Sequence, residues 1–163
     1  MSHQNGLNVL VVEDCLEDAI ALRNLLLSDG HKVRIAPYGE AALVEMLADA
    51  PDVMLLDLDL PNLDGLEVAA ATREMEWSQR PLLMAVTGPG ERLVRDQATA
   101  AGIDLYLVKP VDPGYLCSVL RMFYERIARS SSGRSSSRSV HGRKPSKDRL
   151  PHLRVFRPPH NPN

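Results

Sequence analysis

Five apolar segments recur along the chain with helix-like stretches between them. They are Leu7–Val12, His31–Ile35, Val53–Leu56, Leu82–Val86 and Leu105–Val108. Four are nearly unbroken apolar runs, the pattern of parallel strands covered on both faces. The second, His31-Lys32-Val33-Arg34-Ile35, alternates polar and apolar, as an edge strand with one wet face would. The spacers read as helices. In the first, Leu16, Ile20 and Leu27 form an apolar stripe, and Asp29-Gly30 supplies a C-terminal stop. Glu40 to Ala48 is rich in Ala and Leu, with Pro51 just beyond. Asp64 followed by Glu67 marks a capped helix start. Glu91 to Ala101 ends at Gly102, and Asp112-Pro113 is a helix cap with proline at the first helical position. Leu116, Val119, Leu120, Phe123 and Ile127 then give the last helix an apolar face.

Strand and helix thus alternate five times. Such alternation predicts an α/β fold with right-handed crossovers. Five units are too few for an eight-fold barrel. The expected architecture is a doubly wound, five-stranded parallel sheet with helices on both faces. The edge character of the second strand favours the order 2-1-3-4-5.

Composition divides the chain in two. Residues 1–129 carry 11 Lys and Arg against 20 Asp and Glu, a net charge of −9. Residues 130–163 carry 8 against one, a net of +7, which together give the −2 of the whole chain. The second stretch opens on a Ser/Arg/Gly run and continues through Lys144-Pro145, Leu150-Pro151 and Arg157-Pro158-Pro159. It has no periodicity and little to bury, so it is expected to be a disordered basic tail. Its chemistry admits an anionic surface such as nucleic acid or a membrane as partner, against the plainer reading of a solvated linker. No apolar run reaches the ~20 residues of a membrane helix. Residues 9–12, with no preceding basic group, do not resemble a secretory leader, so a cytoplasmic location is expected. Two cysteines, Cys15 and Cys117, make neither a disulfide framework nor a metal site. The five histidines, at 3, 31, 141, 152 and 160, are scattered and read as solvated.

The chemistry lies at the strand ends. The first strand runs into Glu13-Asp14, the third into Asp57, the fourth into Thr87 and the fifth into Lys109. In a parallel sheet all these ends share one edge, where open α/β sheets bind ligands. Taken singly, each has a plainer role. Asp57 could cap a turn, Glu13-Asp14 could open a helix, Thr87 could serve a loop, and Tyr106 could be half-buried core. Taken together, they place three carboxylates in one crevice. At ~4 Å and an effective dielectric of ~20, each pair repels by roughly 4 kcal/mol, so a cation is needed or pKa values rise. An all-oxygen set suits Mg²⁺, and Lys109 adds a second positive charge for an incoming phosphoryl group.

The stretch Leu55-Leu56-Asp57-Leu58-Asp59-Leu60-Pro61-Asn62-Leu63-Asp64-Gly65 resembles the phosphoacceptor motif of response-regulator receiver domains. So do Glu13-Asp14, Thr87-Gly88 and Leu107-Val108-Lys109-Pro110, and the resemblance covers about residues 7–128. It implies a flavodoxin-like fold and a signalling switch that takes a phosphoryl group onto Asp57 from a sensor histidine kinase or phosphotransfer protein. Asp14, Asp57, the main-chain carbonyl of Asp59 and, through water, Glu13 would hold Mg²⁺. Lys109 would bridge Asp57 and the phosphoryl oxygen. Thr87 would move to meet that oxygen, and Tyr106 would turn inward behind it. An output protein would then read the face built by the fourth helix, fifth strand and fifth helix. The Lys109-Pro110 bond would be cis. Asp59 and Pro89 occupy positions that tune phosphoryl lifetime in the family, and Val111 replaces a more usual phenylalanine. Two other readings compete. Asp57-Leu58-Asp59 resembles the paired aspartates of haloacid-dehalogenase phosphatases. Against this, Pro61 stands where Thr or Val is expected, and the acidic pair precedes the nucleophile. A receiver-like module that never uses phosphate is the other.

Overall fold

The structure, a computed structural model, describes residues 6–88 and 95–132. In chain order it contains β1 (Asn8–Val12), α1 (Leu16–Ser28), β2 (Lys32–Ala36), α2 (Gly39–Ala48) and β3 (Val53–Asp57). There follow α3 (Gly65–Glu74), β4 (Leu82–Thr87), α4 (Arg95–Ala100), β5 (Leu105–Val108) and α5 (Pro113–Ser132). The strands form one parallel sheet in the order β2-β1-β3-β4-β5, as the alternation and the polar second strand predict. The apolar runs of β1, β3 and β4 are central and buried, whereas β2 shows the half-wet pattern of an edge.

A core lies on each face of the sheet. Leu10, Met54, Leu56 and Leu83 pack on one side with Met46 of α2 and Val68 of α3. Val9, Leu55 and Met84 pack on the other with Leu26 of α1 and Leu116 and Leu120 of α5. Each fully buried side chain of this size contributes about 1.5–3 kcal/mol by leaving water. The apolar face expected for α5 is the one that packs.

The stripe expected for α1 is not. Leu16, Ile20 and Leu27 are exposed, at 69%, 43% and 42%. The sheet side is instead Ala19 and Leu26, with Leu22 and Leu25 packed beside them. Apolar residues lie around much of this helix, so periodicity alone does not choose which side faces in. His31 also departs from its solvated reading. It is buried, and its Nδ1 accepts the Leu7 N–H at 3.2 Å while Nε2 lies 3.3 Å from Asp29 Oδ2.

Local signals set the helix ends. Gly30 and Gly102 have φ of +89° and +87°, a left-handed turn that glycine adopts without steric cost. After each, the next N–H reaches back into the helix, His31 to the Leu26 carbonyl and Ile103 to the Ala98 carbonyl, both at 3.0 Å. Asp64 and Glu67 form a reciprocal capping box at the start of α3. Asp112 Oδ1 accepts the Tyr115 N–H at the start of α5. That helix runs on through Ser132, a little past the expected boundary at 129. The rest of the basic segment, 133–163, lies outside the described residues, as does Pro89. Among the described residues no helix is long and apolar enough to cross a membrane.

Candidate functional site

The register of the sheet decides which residues meet. Val12 pairs with Leu56, Asp57 with Val86 and Thr87 with Val108, so the four strand ends fall within two residues of one another along the sheet. Asp57 and Thr87 are the last residues of β3 and β4, while Glu13 and Lys109 directly follow β1 and β5. Parallel strands whose carboxyl ends lie in near register therefore bring residues 96 positions apart into contact.

Lys109 stands at the centre. Its Nζ donates to Asp57 Oδ2 and to Glu13 Oε2, each at 2.8 Å. The Glu13 and Asp57 side chains are buried, and Lys109 keeps about a quarter of its side chain in water. Carboxylate oxygens of Glu13, Asp14 and Asp57 lie within 4.8 Å of one another, with Asp14 on the solvent side. Two main-chain donors add positive potential. Cys15 N–H donates to Glu13 Oε1 at 3.0 Å, and Asp59 N–H to Asp57 Oδ1 at 2.9 Å. The Asp59 side chain itself is exposed.

These charges shift one another. Burial pushes the Glu13 carboxyl above its usual range, against the opposing pull of the Lys109 and Cys15 hydrogen bonds. Burial draws the Lys109 ammonium down, but its bonds to Asp57 and then Glu13 outweigh this and hold it above the usual lysine range. Among the described residues the pocket is thus an acidic crevice with one fixed cation and more negative charge than that cation neutralises. Hard oxygen ligands converging from separate strands fit a small divalent ion. Burial of the Glu13 carboxylate, which costs free energy unless a cation compensates, is the structural observation behind that fit.

Thr87 is buried beside this group, its hydroxyl 3.5 Å from the Leu107 carbonyl. Tyr106 packs against the core on the α2–α4 side of the sheet. Its hydroxyl is buried and has no hydrogen-bond partner among the described residues. The Lys109-Pro110 peptide is cis, as the resemblance implies. Sequence reading missed one member of the cluster. Asp18 Oδ2 lies 3.3 Å from Lys109 Nζ. No local signal marked it, since Asp18 lies in the first turn of α1 as an ordinary helix-start acid would.

A doubly wound sheet with an acid–lysine crevice at its carboxyl edge defines a class of phosphate-handling switch domains. The chain belongs to the response regulator receiver domain family, whose model matches residues 9–121. It is 32% identical over 131 residues to the transcriptional regulatory protein ResD of Bacillus subtilis, covering 80% of this chain and 53% of that protein. It is 38% identical over 121 residues to the KDP operon transcriptional regulatory protein KdpE of Escherichia coli, covering 73% and 52%. The chain therefore spans about half the length of these two regulators. A CheY-like receiver domain structure from Methylobacillus flagellatus superposes with a TM-score of 0.65 at 29% identity. It covers 71% of this chain and 96% of that one. The chain is accordingly a phosphoacceptor signalling module of two-component systems, and the phosphatase and phosphate-independent readings are not favoured.

Proposed function

We propose that Asp57 accepts the phosphoryl group and that the surrounding residues time its arrival and loss. The donor is a phosphohistidine on a sensor kinase or phosphotransfer protein. An Asp57 carboxylate oxygen attacks phosphorus, the P–N bond breaks, and the electron pair leaves on the imidazole nitrogen. Asp14, Asp57, the Asp59 carbonyl and, through water, Glu13 would hold Mg²⁺, which when bound neutralises phosphoryl charge. Lys109 neutralises charge from the other side and, through its 2.8 Å hydrogen bond, holds the Asp57 carboxylate in position for attack. Water attack on the acyl phosphate later returns phosphate and free Asp57. Thr87 meets the phosphoryl oxygen, Tyr106 follows, and an output partner reads the change on the α4-β5-α5 face. The basic segment 133–163 would favour an anionic surface.

One observation carries this reading. A single ammonium lies 2.8 Å from two buried carboxylates, with a third carboxylate beside them. Such an arrangement is costly for stability alone but suited to receiving a phosphoryl anion. The test is intact-mass analysis after incubation with acetyl phosphate and Mg²⁺. Wild type gains one phosphoryl group, whereas chelation of the metal or the change Asp57→Asn prevents it. An Asp57→Asn protein that still gained the group would refute the assignment.

A further inference from the structure

Asp18 enters neither the metal set nor the phosphoacceptor set, yet it is the third carboxylate on Lys109. Nζ lies 3.3 Å from Asp18 Oδ2, against 2.8 Å for Glu13 and for Asp57. An ammonium has three N–H donors, so three carboxylates occupy all of them. A phosphoryl oxygen that is to bond Lys109 must replace one of these acceptors.

The acceptors are not equivalent. The Glu13 side chain is 2% exposed and also accepts the Cys15 N–H, and the Asp57 side chain is 7% exposed and also accepts the Asp59 N–H. Drawing the ammonium from either strands a buried charge. The Asp18 side chain is half exposed and makes the longest contact. Water satisfies it as soon as it lets go.

We propose, on the basis of the phosphoacceptor reading above, that Asp18 is a positioning residue for Lys109. It occupies the third donor of the ammonium in the unphosphorylated protein and yields it to the phosphoryl oxygen. Asp18 takes part in no covalent change. While the Asp57–phosphorus bond forms and the donor's bond to phosphorus breaks, one hydrogen bond at Lys109 is exchanged for another. Removing the Asp18 carboxylate frees that donor in advance. It also takes one negative charge from the path of an anionic phosphodonor. Both effects speed phosphorylation.

The experiment uses the full chain with Asp18→Asn and Asp18→Glu. Phosphorylation by acetyl phosphate at saturating Mg²⁺ is followed by intact mass. Asp18→Asn is expected to react roughly two- to fivefold faster, the factor an exposed ion pair is worth, and Asp18→Glu to restore the wild-type rate. The NMR signals of Lys109 Nζ and Cε give a readout that a merely structural role would not produce. They shift in Asp18→Asn while the protein is unliganded and coincide with wild type once beryllofluoride and Mg²⁺ are bound. An unchanged or slower rate in Asp18→Asn, or an equal Lys109 shift in both states, overturns the proposal. If wild type itself gains no phosphoryl group, the phosphoacceptor reading fails and this one falls with it. An active wild type with an indifferent Asp18→Asn removes only the role given to Asp18.

Discussion

Replacing Lys109 with methionine keeps most of the apolar stem and removes the charge that Glu13, Asp57 and Asp18 share. The carboxylates of Glu13 and Asp57 then face each other within 4.8 Å. At an effective dielectric of ~20 that repulsion is about 3.5 kcal/mol. Removing one member of a buried ion pair costs about 3–5 kcal/mol. Because Lys109 is a quarter exposed, the lower figure applies, about 3 kcal/mol. For a domain of this size that is a fall in Tm of about 10 °C. The deficit depends on pH. The Glu13 carboxyl is raised above 4.5 by burial, so over the window above that value the folded protein binds more protons than the unfolded chain, and this group takes stability away as pH rises. Without Lys109 two of its lowering influences vanish and the window widens. The raised Lys109 pKa contributes stability that is fully present below 10.5, so across neutral pH the wild type retains all of it. The gap between variant and wild type is therefore full above the raised Glu13 range and below 10.5, and it narrows as the pH falls toward 4.5. Mg²⁺ should also stabilise the variant more than wild type, since the emptied pocket is the more negative. Urea unfolding followed by Trp77 fluorescence, with chelator or with Mg²⁺, measures each quantity. A variant as stable as wild type at the higher pH in chelator, or a gap that grows on acidification, would refute the electrostatic account.

Two further changes test how the fold holds the site. A Cβ at Gly65 would strike the Asp57 carbonyl and come within 2.7 Å of the Leu58 Cα. Gly65→Ala should therefore cost about 2 kcal/mol or more in urea unfolding and slow phosphorylation by acetyl phosphate through displacement of the β3 end. On α1, Leu26→Ala should cost about 3 kcal/mol as a core cavity, while Leu16→Ala should stay within about 0.5 kcal/mol. A larger loss at Leu16 than at Leu26 would show that the helix is turned the other way.

The class of fold was legible in the amino-acid pattern. Unbroken apolar runs between helical spacers can be satisfied only by buried parallel strands, and the alternating His31–Ile35 segment had to lie at an edge. The site was legible for the same reason, because parallel strands deliver whatever follows them to one rim. Glu13, Asp14, Asp57, Thr87 and Lys109 could thus be grouped without knowing a single contact. Tertiary structure alone decided what depends on the rotation of one element against another. A helix apolar on most sides, such as α1, has no unique inward stripe until the sheet selects Ala19 and Leu26 over Leu16 and Ile20. His31 looked like a wet edge residue until the Leu7 N–H claimed its ring. The Asp18–Lys109 contact joins α1 to the end of β5 across 91 residues. No local pattern encodes that distance, because it is fixed by how the two elements pack on the same sheet.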